Sequence, residues 1–295
     1  GFFVGSDEKA IVVDTNYPTK VMRALTSPFA LNGITVRLNT LFGHSQKTGY
    51  FIHSFLHIDG DDLVFNEKDG EMTATFDILA ISYGDNGAPV DKINLVGSTK
   101  VRPEHLERAK RDGVAYSFIF PLKKPGALQM RIAVMDRASG EVGSANTFID
   151  VPNLKKEGVL LSGILLENIS KKIWTDVAAG NPRPGASDPR YSTAIRRFGR
   201  GTVLRFGGNL MNVKAAGVRL QGRVFHERKL VFEGPERILD PTAVNTYNEG
   251  VFNDAIELGE KLLPGDYVLQ VVVTDAAAKA KRRIATQYVQ FEVIE

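Results

Sequence analysis

One strand-like segment occurs twice in this chain. Pro125-Gly126-Ala127-Leu128-Gln129-Met130-Arg131-Ile132-Ala133-Val134-Met135-Asp136 returns as Pro264-Gly265-Asp266-Tyr267-Val268-Leu269-Gln270-Val271-Val272-Val273-Thr274-Asp275. In both copies the Asp stands eleven positions after the Pro. Pro fixes φ and Gly accepts a positive φ, so the pair sets a tight turn that feeds the following run into a sheet. Each copy is followed by a turn-rich stretch and a last strand, Phe148 to Val151 and Val289 to Val293. Two copies, each closing a half-chain, predict two β-domains of similar build.

The chain has 295 residues, which favours two domains that each bury a core of their own. It has no apolar run of bilayer-spanning length, so no membrane span is expected. It has no Cys, which excludes disulfides, thiolate metal sites and cysteine nucleophiles. Gly1-Phe2-Phe3-Val4-Gly5 shows no initiator Met and no basic region before an apolar core; it reads as the mature or trimmed start of a longer product.

Charge is uneven. Residues 1–154 carry 16 Lys+Arg against 18 Asp+Glu, a net of −2, and residues 155–295 carry 21 against 16, a net of +5. The excess sits between Lys155 and Arg205, with ten basic and four acidic residues. Such a run is either an anion-binding surface or a solvated loop.

Asn16-Tyr17-Pro18-Thr19 opens a short helix within 16–31, with Val21, Met22 and Leu25 as its apolar stripe. Period-two alternation then predicts strands at 34–38, 50–58, 72–83, 90–101, 114–120, 128–135 and 146–151. Asp85-Asn86-Gly87 marks a hairpin, and Pro103 to Lys110 one or two helical turns. No long helices alternate with the strands, so the pattern indicates an all-β chain of two tandem immunoglobulin-like β-sandwich domains with a few short helices. The seam falls at Val151-Pro152-Asn153-Leu154-Lys155-Lys156, giving domains 1–154 and 155–295. The second domain opens with a buried strand at 159–166; Lys171 to Gly201 then reads as a long irregular loop, followed by strands at 203–211, 218–224, 230–232, 264–275 and 288–294.

Sites of chemistry are scarce. His53 and His57 lie four apart on one strand face with Phe51 and Phe55, but no third metal ligand stands nearby. Asp59-Gly60-Asp61-Asp62 opens like a calcium loop, yet Leu63-Val64-Phe65 follows where further ligands belong, so the segment reads as a turn. Gly199-Arg200-Gly201 and Gly207-Gly208 are too short to cradle a phosphate and read as a turn and a bulge. Asn168-Ile169-Ser170 matches a glycosylation triplet that is common by chance. No nucleophile elbow or phosphate-binding loop is present, and the sequence implies no catalytic residue, metal or cofactor.

The basic segment has aromatic residues among its charges. Trp174, Tyr191 and Phe198 are interleaved with Lys171, Lys172, Arg183, Arg190, Arg196, Arg197 and Arg200. This arrangement suits single-stranded nucleic acid, an anion or a carbohydrate; the competing reading has the aromatics anchoring loop ends in the core. Nucleic acid is the less favoured partner. At the other end of the chain, Phe2, Phe3 and Val4 are costly to leave in water and are candidates for a strand that docks on this chain or a neighbour.

Several stretches taken together carry a family resemblance: Ser27-Pro28-Phe29-Ala30-Leu31, Leu41-Phe42-Gly43-His44, Leu56-His57-Ile58-Asp59, Ala80 to Gly87, Val151 to Lys156, Ala194-Ile195-Arg196-Arg197-Phe198, and Leu263 to Gln270. They resemble the C-terminal region of the von Willebrand factor A-related proteins known mainly from Acidobacteria, over nearly the whole chain. The A-type domain's metal-dependent adhesion motif, Asp-x-Ser-x-Ser, is absent, so that site has no counterpart here. The resemblance implies an exported envelope or extracellular bacterial protein, with the A-type domain of the same precursor as one conceivable partner. The expected function is a non-enzymatic structural or protein-binding module that self-associates. The alternatives are an anion or carbohydrate binder using 171–201, and a hydrolase whose site only the fold assembles.

Overall fold

A computed structural model describes residues 3–4, 18–27, 29–45, 47–155, 158–179, 193–213, 217–239, 244, 249–279 and 283–295. The chain divides into two compact units. The first contains the described residues up to Thr40 and Gly49–Val151; the second contains Leu41–Thr48 and the described residues from Pro152 onward.

The strands up to the seam are β1 (Phe3–Val4), β2 (Val36–Ser45), β3 (Gly49–Ile58), β4 (Asn66–Lys68), β5 (Glu71–Gly84), β6 (Pro89–Val101), β7 (Val114–Pro121), β8 (Gly126–Asp136) and β9 (Val142–Val151). One sheet has the order β1-β7-β3-β2; the other has the order β4-β5-β8-β9, with β6 also paired to β5. Alternation assigns one face of each sheet to the core. Ile52, Leu56 and Ile58 of β3 and Phe118 and Phe120 of β7 are buried, as are Phe76 and Ile78 of β5 and Met130 and Ile132 of β8. Phe76 meets Tyr116 edge-on across the two sheets, with ring centroids 5.8 Å apart.

Helix α1 (Thr19–Thr26) starts after Pro18 and packs Val21, Ala24 and Leu25 onto Leu79, Ile81, Ala133 and Val142 of the second sheet. Met22, expected in that stripe, is exposed: the face defined by Val21 and Leu25 is completed at i+3 by Ala24. Arg131 of β8 donates to the carbonyls of Leu25 (3.0 Å) and Ser27 (3.3 Å), placing a cation at the helix C-terminus, and lies 5.1 Å from the Tyr83 ring centroid. The turns before β7 are a 3₁₀ segment, Pro103–His105, and α2 (Leu106–Asp112), ended by Gly113 at φ 75°.

The second unit holds β10 (Leu160–Leu161), β11 (Leu165–Ile169), α3 (Lys171–Ala178), β12 (Arg197–Gly199), β13 (Thr202–Met211), β14 (Val218–His226), β15 (Lys229–Glu233), β16 (Arg237–Ile238), β17 (Gly250–Leu258), β18 (Gly265–Asp275) and β19 (Ile284–Ile294). β10 and β11 pair with β13, which also pairs with β17; the facing sheet runs β12-β19-β18-β14-β15, with β16 on β14. Leu166, Leu204, Phe206, Phe252, Leu269, Val271, Phe291 and Val293 share one core between these sheets. Both units are therefore all-β sandwiches.

The repeated segment forms the same device twice. β8 and β18 are each eleven residues long, begin at a Gly with φ 146° and 143°, and pair antiparallel with the following strand. Their terminal residues, Asp136 and Asp275, are fully buried. Asp136 Oδ2 accepts from the Ser139 amide and hydroxyl (2.8 and 2.7 Å), and Asp275 Oδ1 from the Ala277 amide (3.0 Å). Each carboxylate thus holds the turn into the last strand.

Three further expectations are corrected. The segment 159–166 is not one strand, because β10 ends at Leu161 and β11 begins at Leu165. Lys171 onward is not irregular: it begins as the helix α3, whose Ile173 amide donates to Ser170 Oγ at 3.2 Å, an N-cap. Gly207 and Gly208 do not form a bulge. They pair in continuous register with Asn253 and Phe252. They are glycine because a Cβ there would lie 2.7 Å from the Phe252 carbonyl oxygen and 2.8 Å from that of Gly163.

Candidate functional site

The basic segment separates into cations that are paired and, among the described residues, others that are not. Lys171 pairs with Glu257, Arg197 with Glu292 (2.7 Å), Arg200 with Glu295 (3.7 Å) and Arg205 with Glu167 (3.2 Å). Lys172 is exposed to water. Arg196 is half-buried, and among the described residues no carboxylate lies within ion-pair distance of it. Burial pushes its guanidinium below the usual arginine range. Its backbone sits at φ 55°, in the left-handed region, and its carbonyl accepts the Glu292 amide at 2.9 Å. Arg197, one residue on, is exposed. Trp174 is half-buried on α3, and Phe198 is fully buried 6.0 Å from Phe291 by ring centroids, so Phe198 anchors the core. Arg183, Arg190 and Tyr191 lie outside the described residues.

At the other end, Phe3–Val4 form β1 and pair in parallel with β7: Phe3 with Ala115, Val4 with Tyr116. Phe2 lies outside the described residues. β7 runs on to Pro121, and among the described residues no strand pairs with that side of it beyond Tyr116. β1 and the described residues of the basic segment belong to different units.

The candidate metal residues have other duties. His57 Nε2 lies 3.0 Å from the Asp112 carbonyl oxygen, and His53 packs on Phe55 with ring centroids 4.0 Å apart. Asp59 Oδ1 accepts the Asp61 amide (3.1 Å) and shapes the turn, and Asp62 Oδ2 accepts the Thr35 amide (2.7 Å) and ties the turn to the residue before β2. Among the described residues no group of three or more His, Cys, Asp or Glu is placed to hold a metal ion, and no helix is long and apolar enough to cross a membrane. Asn168 Nδ2 donates to Thr202 Oγ1 at 2.6 Å.

The structure exposes apolar residues that sequence patterning did not single out. Leu230, Val231 and Phe232 are 48%, 48% and 42% exposed on the outer strand β15. That edge is short, it opens with Lys229, and a register shift leaves Val231 without a partner on β14; these are the devices that blunt an edge. The open stretch of β7 carries no such bulge in its pairing with β3, which is continuous from Val114 to Pro121. Phe29 and Phe148, in the first unit, are the most exposed large apolar residues, at 79% and 78%. Phe148 could have been foreseen, because it shares the outward parity of Asn146 and Asp150 on β9.

No family model matches the sequence, and no curated protein matches it. Solved structures with some likeness include a transglutaminase from red sea bream, at 10% identity over 88% of this chain and 31% of that one, with a TM-score of 0.26. A putative β-galactosidase from Bacteroides fragilis is 12% identical over 81% of this chain and 32% of that one, at 0.29. A β-glucuronidase from Parabacteroides merdae is 10% identical over 82% and 27%, at 0.28. The chain spans about a third or less of each of these proteins, and TM-scores this low carry no functional argument.

Proposed function

We propose that this chain is a non-enzymatic structural or protein-binding module that recognises a protein partner, a second copy of itself included, by strand addition. The observation that carries this is the parallel pairing of Phe3–Val4 with Ala115–Tyr116. It supports the edge of β7 as a strand acceptor. Among the described residues the pairing covers two positions and leaves Ser117–Pro121 of β7 for a longer strand. Backbone hydrogen bonds give such an addition its affinity, and alternate side chains give it specificity. The same register made between copies joins them head to tail. The resemblance of the sequence to the C-terminal region of von Willebrand factor A-related proteins supports a site of action in a bacterial envelope or outside the cell.

The test is a labelled peptide of residues 1–13 added to a variant lacking those residues. Saturable binding, lost when the peptide carries Val4→Pro, is the expected result, because Pro cannot donate to a ladder. No binding, or equal binding of the Pro peptide, contradicts the reading.

A further inference from the structure

Arg196 carries two anomalies at once. A non-glycine residue in the left-handed region is strained, and such strain persists where the surroundings or a function require it. Its guanidinium is also half-buried without a carboxylate among the described residues, although every other engaged cation of the segment has one. A cation withdrawn from water is costly unless something answers its charge, and burial already depresses its proton affinity. The backbone that carries it is held in place. Ala194 and Phe198 on either side are buried, and the Arg196 carbonyl is tied to the Glu292 amide at the start of β12.

We propose that Arg196 is the anchor of an oxyanion site, taking two oxygens of a carboxylate or phosphate group in its guanidinium fork. The fork's parallel donors match two oxygens of such a group, which gives the site direction as well as charge. Arg197, which looks equivalent in the sequence, is no part of it: its charge is spent on Glu292, with Nε to Oε2 at 2.7 Å and Nη2 to Oε1 at 3.3 Å. This site is independent of strand addition at β7, which belongs to the other unit.

The test is thermal unfolding of the full chain and of Arg196→Gln, Arg196→Gly and Arg197→Gln. Each is titrated with sodium phosphate or sodium acetate against sodium chloride at equal ionic strength. A ligand that binds only the folded state raises the melting temperature, here by about 2–5 °C at saturation. The wild type and Arg197→Gln respond to phosphate, acetate or both; a response to one alone identifies the preferred oxyanion. Arg196→Gln and Arg196→Gly do not respond. In chloride, Arg196→Gly melts above the wild type, since it relieves the left-handed backbone and removes a half-buried charge that has no carboxylate among the described residues. Equal responses in the wild type and the Arg196 variants, no anion-specific response in the wild type, or a lower melting temperature for Arg196→Gly in chloride each overturn the proposal.

Discussion

His57 Nε2 lies 3.0 Å from the carbonyl oxygen of Asp112, the last residue of α2, and this contact fixes what the ring can do. The ring bridges β3 to the end of a helix and sits so close to the next residue that a Cβ on Gly113 would lie 2.4 Å from Nε2. Nε2 is spent on a backbone carbonyl, and Nδ1 is the ring's remaining nitrogen.

Protonation of this ring opposes folding. Burial lowers the pKa of His57 from the ordinary 6.5, more than the Asp112 carbonyl and the Asp59 charge raise it, with Arg37 adding to the lowering; burial alone lowers that of His53. The unfolded chain therefore binds more protons than the folded one below about pH 6.5. Stability is full above that pH and falls as the solution is acidified through the depressed folded values. Urea unfolding at pH 7.5 and 5.0 should show this loss. His53→Gln with His57→Gln should show a smaller one, the glutamine amide retaining a donor for Asp112.

Gly97 of β6 leaves no room for a side chain against the first core. A Cβ there would lie 2.2 Å from Phe76 Cε2, and Phe76 is fully buried. Gly97→Ala forces that ring from its place and should cost about 1–3 kcal/mol, the usual scale of overpacking. Denaturant midpoints at constant m-value measure it.

The β14–β15 hairpin turns through Glu227 and Arg228, at φ 48° and 66°. A two-residue turn of this kind wants residues that tolerate the left-handed region. Glu227→Asn with Arg228→Gly should stabilise the second unit by about 1–2 kcal/mol. A drop in stability would show that these side chains make contacts worth more than the strain.

Much of the architecture was legible because it is written in local chemistry. The Pro-Gly entries to β8 and β18, the Asn86-Gly87 turn, the parity of Val218, Leu220 and Val224, and the Pro152 break each follow from neighbours in the chain. α3 was legible too, had Ser170 been taken as an N-cap ahead of Lys171-Lys172-Ile173-Trp174. What was not legible depends on residues far off in sequence. Gly207 and Gly208 meet backbone from Phe252 and Gly163. Arg196 and Arg197 are indistinguishable until Glu292, 95 positions away, takes one of them. The open stretch of β7 appears only once the sheet order is known.

Strand addition at β7 is tested most directly by amide hydrogen exchange on the intact protein as its concentration is raised or a captured partner is added. The account predicts that association slows exchange at outward-facing amides within Ser117–Phe120, while β15 keeps its unassociated rate. Association that leaves β7 unchanged, or that protects Leu230–Phe232 instead, contradicts it.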